Sequence, residues 1–298
     1  MSYATPEAFK NALKARIRKA ATARGQPIPR VRQLIVFDRF LARVFDVFGE
    51  HAIVKGGAAL ELRLDRARTT RDIDLRISGS PEQLSNLLQR AAELDLGDHL
   101  SFTLQRHPTH PTIEGDGIVY EGHRFRAEAN LAGKIYGDRF GVDAGFGDVL
   151  TMAADEHHGS DLLAFAGIAP TSYRIYPREA HVAEKLHAYT LPRPRENTRV
   201  KDLPDLALLA MTGTFDADLL RNALDATFSF RNTHPLPRTL PSPPLGWSPD
   251  YSTIARRDAL PWRDLPSVFE AARAFLDPIL SEHAGVWIPE QWSWTKSR

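Results

Sequence analysis

Two aspartates one residue apart, Asp72 and Asp74, stand in the run Arg71-Asp72-Ile73-Asp74-Leu75-Arg76-Ile77. A β-strand turns alternate side chains to opposite faces, so Ile73, Leu75 and Ile77 point into a core while Asp72, Asp74 and Arg76 share the other side. Two carboxylates aimed at one point disfavour joint ionisation. A hard divalent cation such as Mg²⁺, which takes oxygen ligands from carboxylates and substrate phosphates, removes that repulsion. Upstream, Lys55-Gly56-Gly57 precedes a short amphipathic helix expected from Ala58 to Leu64. The glycines let the backbone approach a polyphosphate, and the helix turns its N-terminal N–H groups toward it. Anion and cation are thereby placed side by side.

Other elements must supply the remaining groups. Alternation predicts strands over 125–131 and 139–146. In the second, Phe140, Val142, Ala144 and Phe146 share a face. Asp143 takes the other face, between Gly141 and Gly145, whose missing side chains leave space for a ligand; the alternative is a solvated carboxylate on an outer face. Asp148 reads as a turn residue. The segment Tyr176 to Tyr189 predicts a helix, with Pro177 opening it and Ala180, Ala183 and Leu186 forming its packing stripe. Arg178, His181 and Lys185 then share a basic face, and Lys185 is the compact charge used on phosphates. In Asn197 to Ala210, Asp202 can cap a helix with Pro204 in its first turn and Asp205 at the third position of a capping box.

The Gly-Gly turn followed by Asp-x-Asp resembles the nucleotidyltransferase superfamily of the DNA polymerase beta type. More narrowly, Lys55-Gly-Gly-x-Ala-Leu-x-Leu-Arg63, Arg68-x-Thr70-x-Asp72-Ile-Asp-Leu75, Ala183-Glu-Lys-Leu186 and Arg199-x-Lys201-Asp202-Leu-x-Asp205-Leu206 are similar to the AbiEii/MenT family of toxin nucleotidyltransferases. The resemblance runs from Lys55 to about Leu209. One departure is Gly57, where many relatives carry a serine hydroxyl toward the phosphates. The resemblance implies that Asp72, Asp74 and Asp143 hold Mg²⁺ (or Mn²⁺), with Asp143 able to act as base toward the attacking hydroxyl. It implies that Lys185 and Asp202 complete the catalytic set, Asp202 orienting Lys185 or the incoming nucleotide. Lys55, Gly56, Gly57, Thr70, Arg71, Arg178, His181, Arg199 and Lys201 are expected around the nucleotide and its phosphates.

The implied architecture is α/β: a mixed sheet with helices over residues 1–165, then a mainly helical lobe over 166–298 that completes the nucleotide cleft. The implied activity is that of the toxin of a type IV-like toxin–antitoxin system, transferring a nucleoside monophosphate, a pyrimidine one expected, from a nucleoside triphosphate to the 3′ acceptor end of tRNA. The expected partners are the tRNA acceptor stem and a winged-helix antitoxin encoded nearby. A protein hydroxyl or an aminoglycoside as acceptor, or a non-catalytic nucleotide-binding module, would leave the same motifs.

Composition sets further bounds. The 298 residues, 43% of them hydrophobic, can build a core in each of two lobes. With no cysteine there is no disulfide, thiolate metal site or thiol nucleophile. The N-terminus opens on a basic amphipathic helix instead of an apolar leader, and no run approaches a membrane span, so the expected address is the cytoplasm. No Gly-x-Ser-x-Gly elbow, kinase signature or Walker loop is present. His157-His158 reads as a polar loop and not as a metal cluster.

Through residue 45 ten Lys or Arg face two acids, an excess of +8. That surface can track a phosphate backbone, meet an acidic protein or simply be solvated. All five tryptophans lie beyond residue 246, after a proline-rich strap from Pro235 to Pro244, and are expected to pack a core in preference to stacking on bases.

Overall fold

In the computed structural model, residues 3–64, 67, 69–113, 122–146, 150–194, 197–281 and 285–295 are described. Asp148 and most of the basic loop between Leu64 and Thr69 lie outside them. In chain order the elements are α1 (Pro6–Arg24), α2 (Ile28–Phe48), β1 (Ala52–Lys55), α3 (Gly56–Arg63), β2 (Asp72–Ile77), α4 (Pro81–Glu93), β3 (Leu100–Arg106), β4 (Gly122–Leu131), β5 (Lys134–Ile135), β6 (Phe140–Gly145), β7 (Asp155–His158) and β8 (Ser172–Ile175). Then follow α5 (Arg178–Thr190), α6 (Asp202–Ala210), β9 (Phe215–Asp216), α7 (Ala217–Arg231), α8 (Ser248–Arg257), α9 (Leu265–Leu280), β10 (Val286–Ile288) and β11 (Ser293–Trp294). The fold is α/β, built on a mixed sheet.

The large sheet runs β3-β4-β6-β2-β1-β8-β7, with β5 beside β4. β2 pairs parallel to β6 and β1 parallel to β8; the other neighbours are antiparallel. Its inner face packs on α2 through ring contacts of Phe40 with Phe102 and Phe140, and of Phe37 with Phe140. Both Leu41 and Val44 are buried there. β2 alternates as its sequence predicts, with Ile73, Leu75 and Ile77 buried and the aspartates turned away.

A first apolar core spans Phe9 to Ile175 and a second spans Val182 to Trp287. The short helix α3 touches both: Ala58 and Ala59 belong to the first and Leu60 to the second. α3 begins at Gly56 instead of Ala58, so the paired glycines form its first turn. In the second core Trp287 is fully buried among Phe275, Trp292 and Trp294. The indole N–H groups of Trp247, Trp287, Trp292 and Trp294 each donate to a backbone carbonyl, the partner a buried tryptophan needs. The proline strap crosses this lobe, with the Pro241 carbonyl accepting from the Tyr189 hydroxyl. His157 and His158 lie on the strand β7, not in a loop, and His157 stacks on Tyr173.

Part of the N-terminal basic excess is internal. Arg39 and Arg43 converge on Asp98 at 2.7 Å each, and Asp98 and Arg43 are wholly buried. Burial works against the charge of Asp98, yet its hydrogen bonds to Arg43 and Arg39 hold its pKa below the ordinary value. Arg43 also donates to the Leu94, Arg39 and Leu100 carbonyls, so every nitrogen of its guanidinium is used. Breaking a buried pair leaves uncompensated charge. Asp98→Ala is expected to lower the unfolding free energy by about 3–5 kcal/mol in urea denaturation; a loss below about 1 kcal/mol, the scale of an exposed pair, would contradict a buried triad.

Candidate functional site

Register brings the charged groups together. On the face of the sheet away from α2, directly paired residues form a row across four strands: Arg124 on β4, Asp143 on β6, Asp74 on β2 and Lys55 on β1. Positive charges therefore bracket two carboxylates. A second row sets Arg126, Gly141 and Asp72 side by side. Gly141 leaves room for this carboxylate, because a Cβ at that position would lie 2.5 Å from Asp72 Oδ1 and push it aside. Gly56 has φ +62, and a Cβ there would collide with Asp74 Oδ2. The two glycines form a cradle for the carboxylates and not only a turn.

The second lobe closes over this row through α5 and α6. Lys55 pairs with Glu184 at 3.1 Å, and Glu184 also meets Arg231 at 3.6 Å. Lys185 lies between Asp202 at 3.1 Å and Asp205 at 2.7 Å. Arg199 pairs with Asp202. Asp202 is the first residue of α6 and accepts from Lys185 and Arg199, with no side-chain cap formed at this helix start. Asp205, which the capping alternative made a helix residue only, is wholly buried against Lys185.

Electrostatics registers this convergence. The pKa of Asp74 is raised to about 6, first by burial and then by Asp143, with Lys55 and Lys185 working in the other direction and Asp72 adding to the rise. Groups from β1, β2, β6 and α5 thus share one field. Oxygen donors with an excess of negative charge in a low-dielectric cradle fit a hard divalent cation, which Asp72, Asp74 and Asp143 would hold. As the side chains stand, no three of them among the described residues close on one point. Asp143 is engaged by Arg124, whose Nε and Nη2 reach its two oxygens at 2.9–3.1 Å.

Other expected residues fall in different places. Gly57 is buried in the first turn of α3. Thr70 spends its hydroxyl on the Asp72 carbonyl at 3.2 Å, and its own carbonyl accepts from Arg30, which also pairs with Glu61. It shapes the entry to β2. Arg71 and Lys201 are exposed. Arg178 lies over the Phe215 ring and donates to the Thr212 carbonyl, turned away from the carboxylates. His181 is buried with neither ring nitrogen partnered among the described residues, and desolvation, then Lys185 and Arg63, hold its pKa well below the ordinary value. It sits beneath the lysines as a neutral ring.

Sequence reading missed Arg124 and Glu184 and undervalued Asp205. The alternation of β4 puts Arg124 and Arg126 on one face, but only the β4–β6 register sets Arg124 against Asp143.

In the cation-free protein the raised pKa of Asp74 makes its carboxyl favour folding only while protonated. That contribution is complete below about pH 4 and is lost as pH rises through about 6. The neutral isostere Asp74→Asn is accordingly expected to raise the Tm by a few degrees near pH 8 and not near pH 4; an equal Tm difference at both would show that Asp74 carries no such strain.

Residues 39–278 match the family model described as "Nucleotidyl transferase AbiEii toxin, Type IV TA system". Among solved structures, MenT4, a nucleotidyltransferase toxin from Mycobacterium tuberculosis H37Rv, is similar with a TM-score of 0.49 and 17% identity, over 71% of this chain and 68% of that one. JHP933 from Helicobacter pylori is similar with a TM-score of 0.40 and 14% identity, over 66% of this chain and 79% of that one. Comparison with curated proteins gives no match.

Proposed function

The chain belongs to the AbiEii family of nucleotidyltransferase toxins of type IV toxin–antitoxin systems, and from that premise we propose that it transfers a pyrimidine nucleoside monophosphate to the 3′ end of tRNA. The observation that supports this reading is the row of paired charges Arg124, Asp143, Asp74 and Lys55 across four strands, with Lys185 contributing to the field at Asp74. In this reaction the acceptor oxygen forms a bond to the α-phosphorus as the bond from that phosphorus to the β-bridging oxygen breaks, and pyrophosphate leaves. The hydroxyl proton passes to Asp143. Lys55 and Lys185, whose charges both act on Asp74, offset the charge that grows on the β- and γ-phosphates. Asp202 and Asp205 fix the position of Lys185, and Glu184 that of Lys55. Mg²⁺, or Mn²⁺, held by Asp72, Asp74 and Asp143 would neutralise phosphate charge and make the attacking hydroxyl more acidic. The nucleotide lies between the two lobes.

A toxin of this kind needs an antitoxin, and a winged-helix protein encoded nearby is the proposed partner. Growth arrest on expression should then be relieved by that gene and absent with Asp72→Ala.

The direct assay incubates purified protein with Mg²⁺, total bacterial tRNA and each α-labelled nucleoside triphosphate in turn. Label on tRNA is expected with CTP or UTP and the wild type, not with Asp72→Ala. Lys185→Ala should lower kcat/KM by about 10²–10³-fold, the scale for losing one preorganised charge donor. No label on RNA from any of the four nucleotides would overturn the tRNA assignment.

A further inference from the structure

The row of paired charges has two ends, and only one of them is taken by the nucleotide. Lys55 and Lys185 lie at the β1 end, where the leaving phosphates go, so the acceptor must approach Asp143 from the β4 end. There the next group on the same face is Arg126, two residues along β4 from Arg124 and directly across Gly141 from Asp72. Gly141 presents no side chain, so nothing rises from β6 between Arg126 and Asp72.

Arg126 is exposed and pairs with no carboxylate among the described residues. Its Nη2 lies 3.0 Å from His107 Nε2, while His107 Nδ1 accepts from the His110 N–H at 3.1 Å. The pKa of His107 is lowered, first by desolvation and then by the charges of Arg126, His110 and Arg124. A neutral ring, its Nδ1 taken by the His110 N–H, therefore stands beside Arg126 as a neighbour and not as a counter-charge, and leaves its guanidinium unneutralised. Glu128, the next acid along this face of β4, is already paired with Arg139. A polycationic acceptor is repelled by such a surface, and a phosphodiester is attracted.

The N-terminal helices are the competing surface, and the structure weakens their claim. Of their basic residues, Arg39 and Arg43 are consumed by Asp98, Arg30 by Glu61 and Arg16 by the Phe165 ring. Lys14, Arg18, Lys19 and Arg24 remain exposed on α1, which packs on α2 in the layer behind the sheet.

We propose that Arg126, beside the neutral ring of His107, grips a backbone phosphate of the RNA strand whose terminal hydroxyl is presented to Asp143. This deepens the RNA-acceptor assignment above and rests on it.

The test compares wild type, Arg126→Gln, His107→Ala and the α1 variant Lys14→Gln/Lys19→Gln. Steady-state transfer to tRNA is measured with tRNA and nucleotide varied separately, and binding of fluorescein-labelled tRNA is measured across a salt series. For Arg126→Gln the expected result is a KM for tRNA raised about tenfold, from one charged hydrogen bond lost, with the nucleotide KM within about twofold of wild type. The salt slope of tRNA binding should fall by about 0.7–1, one phosphate contact. His107→Ala should raise the tRNA KM by less, and the α1 variant should change neither KM. If wild type transfers to tRNA and Arg126→Gln matches it, or if the α1 variant alone loses tRNA affinity, the grip is refuted while the acceptor assignment stands. If wild type transfers to no RNA, that assignment falls and takes the grip with it.

Discussion

Strand register carries this site, because the side-chain period of two means that a one-residue slip of β2 or β6 would send their aspartates into the core and their hydrophobic residues into solvent. The parallel pairing of Asp74 with Asp143, and the antiparallel pairings of these with Lys55 and Arg124, are therefore conditions for any chemistry at this face. The hydrophobic alternation enforces them. Val142 and Ile73 are fully buried, so their burial against α2 pins the carboxylates outward. At Gly56 and Gly141 no side chain intrudes on the space those carboxylates occupy.

The resulting charge pattern is set by the pairing of the sheet. Two central carboxylates share a row with one cation at each end, and the second lobe adds Lys185 from above. Each cation is itself restrained by acids that the nucleotide does not need to touch: Glu184 for Lys55, Asp202 and Asp205 for Lys185. Restraint of this sort lowers the reorganisation needed when phosphate charge develops. α3 links the halves, with Leu60 in the second core and its first turn beneath Asp74.

Local patterns in the chain are enough to turn Asp72, Asp74 and Asp143 to one side of the sheet, since alternation over six residues sets the face of each. Motif order brought in Lys185 and Asp202. What strings of letters do not contain is the partner across space. Asp98 stands in no motif, yet it absorbs Arg39 and Arg43 from more than fifty positions away, which is why the basic N-terminus overstates its free charge. Arg178 shares helix periodicity with Lys185, but Phe215 and the Thr212 carbonyl draw it elsewhere. Arg124 needed the β4–β6 register to be seen at all. Asp202 had two local explanations, capping and catalysis, and the ion pairs with Lys185 and Arg199 show where its carboxylate goes.

The most direct test of the central claim, that this row of charges is the nucleotidyl-transfer centre, is a crystal structure of the full chain with Mn²⁺ and a non-hydrolysable CTP analogue, the ion located by its anomalous signal. Manganese against Asp72 and Asp74, with the terminal phosphates toward Lys55 and Lys185, is the predicted result. Nucleotide or manganese bound elsewhere, with the Asp74 carboxylate left uncoordinated, would contradict it.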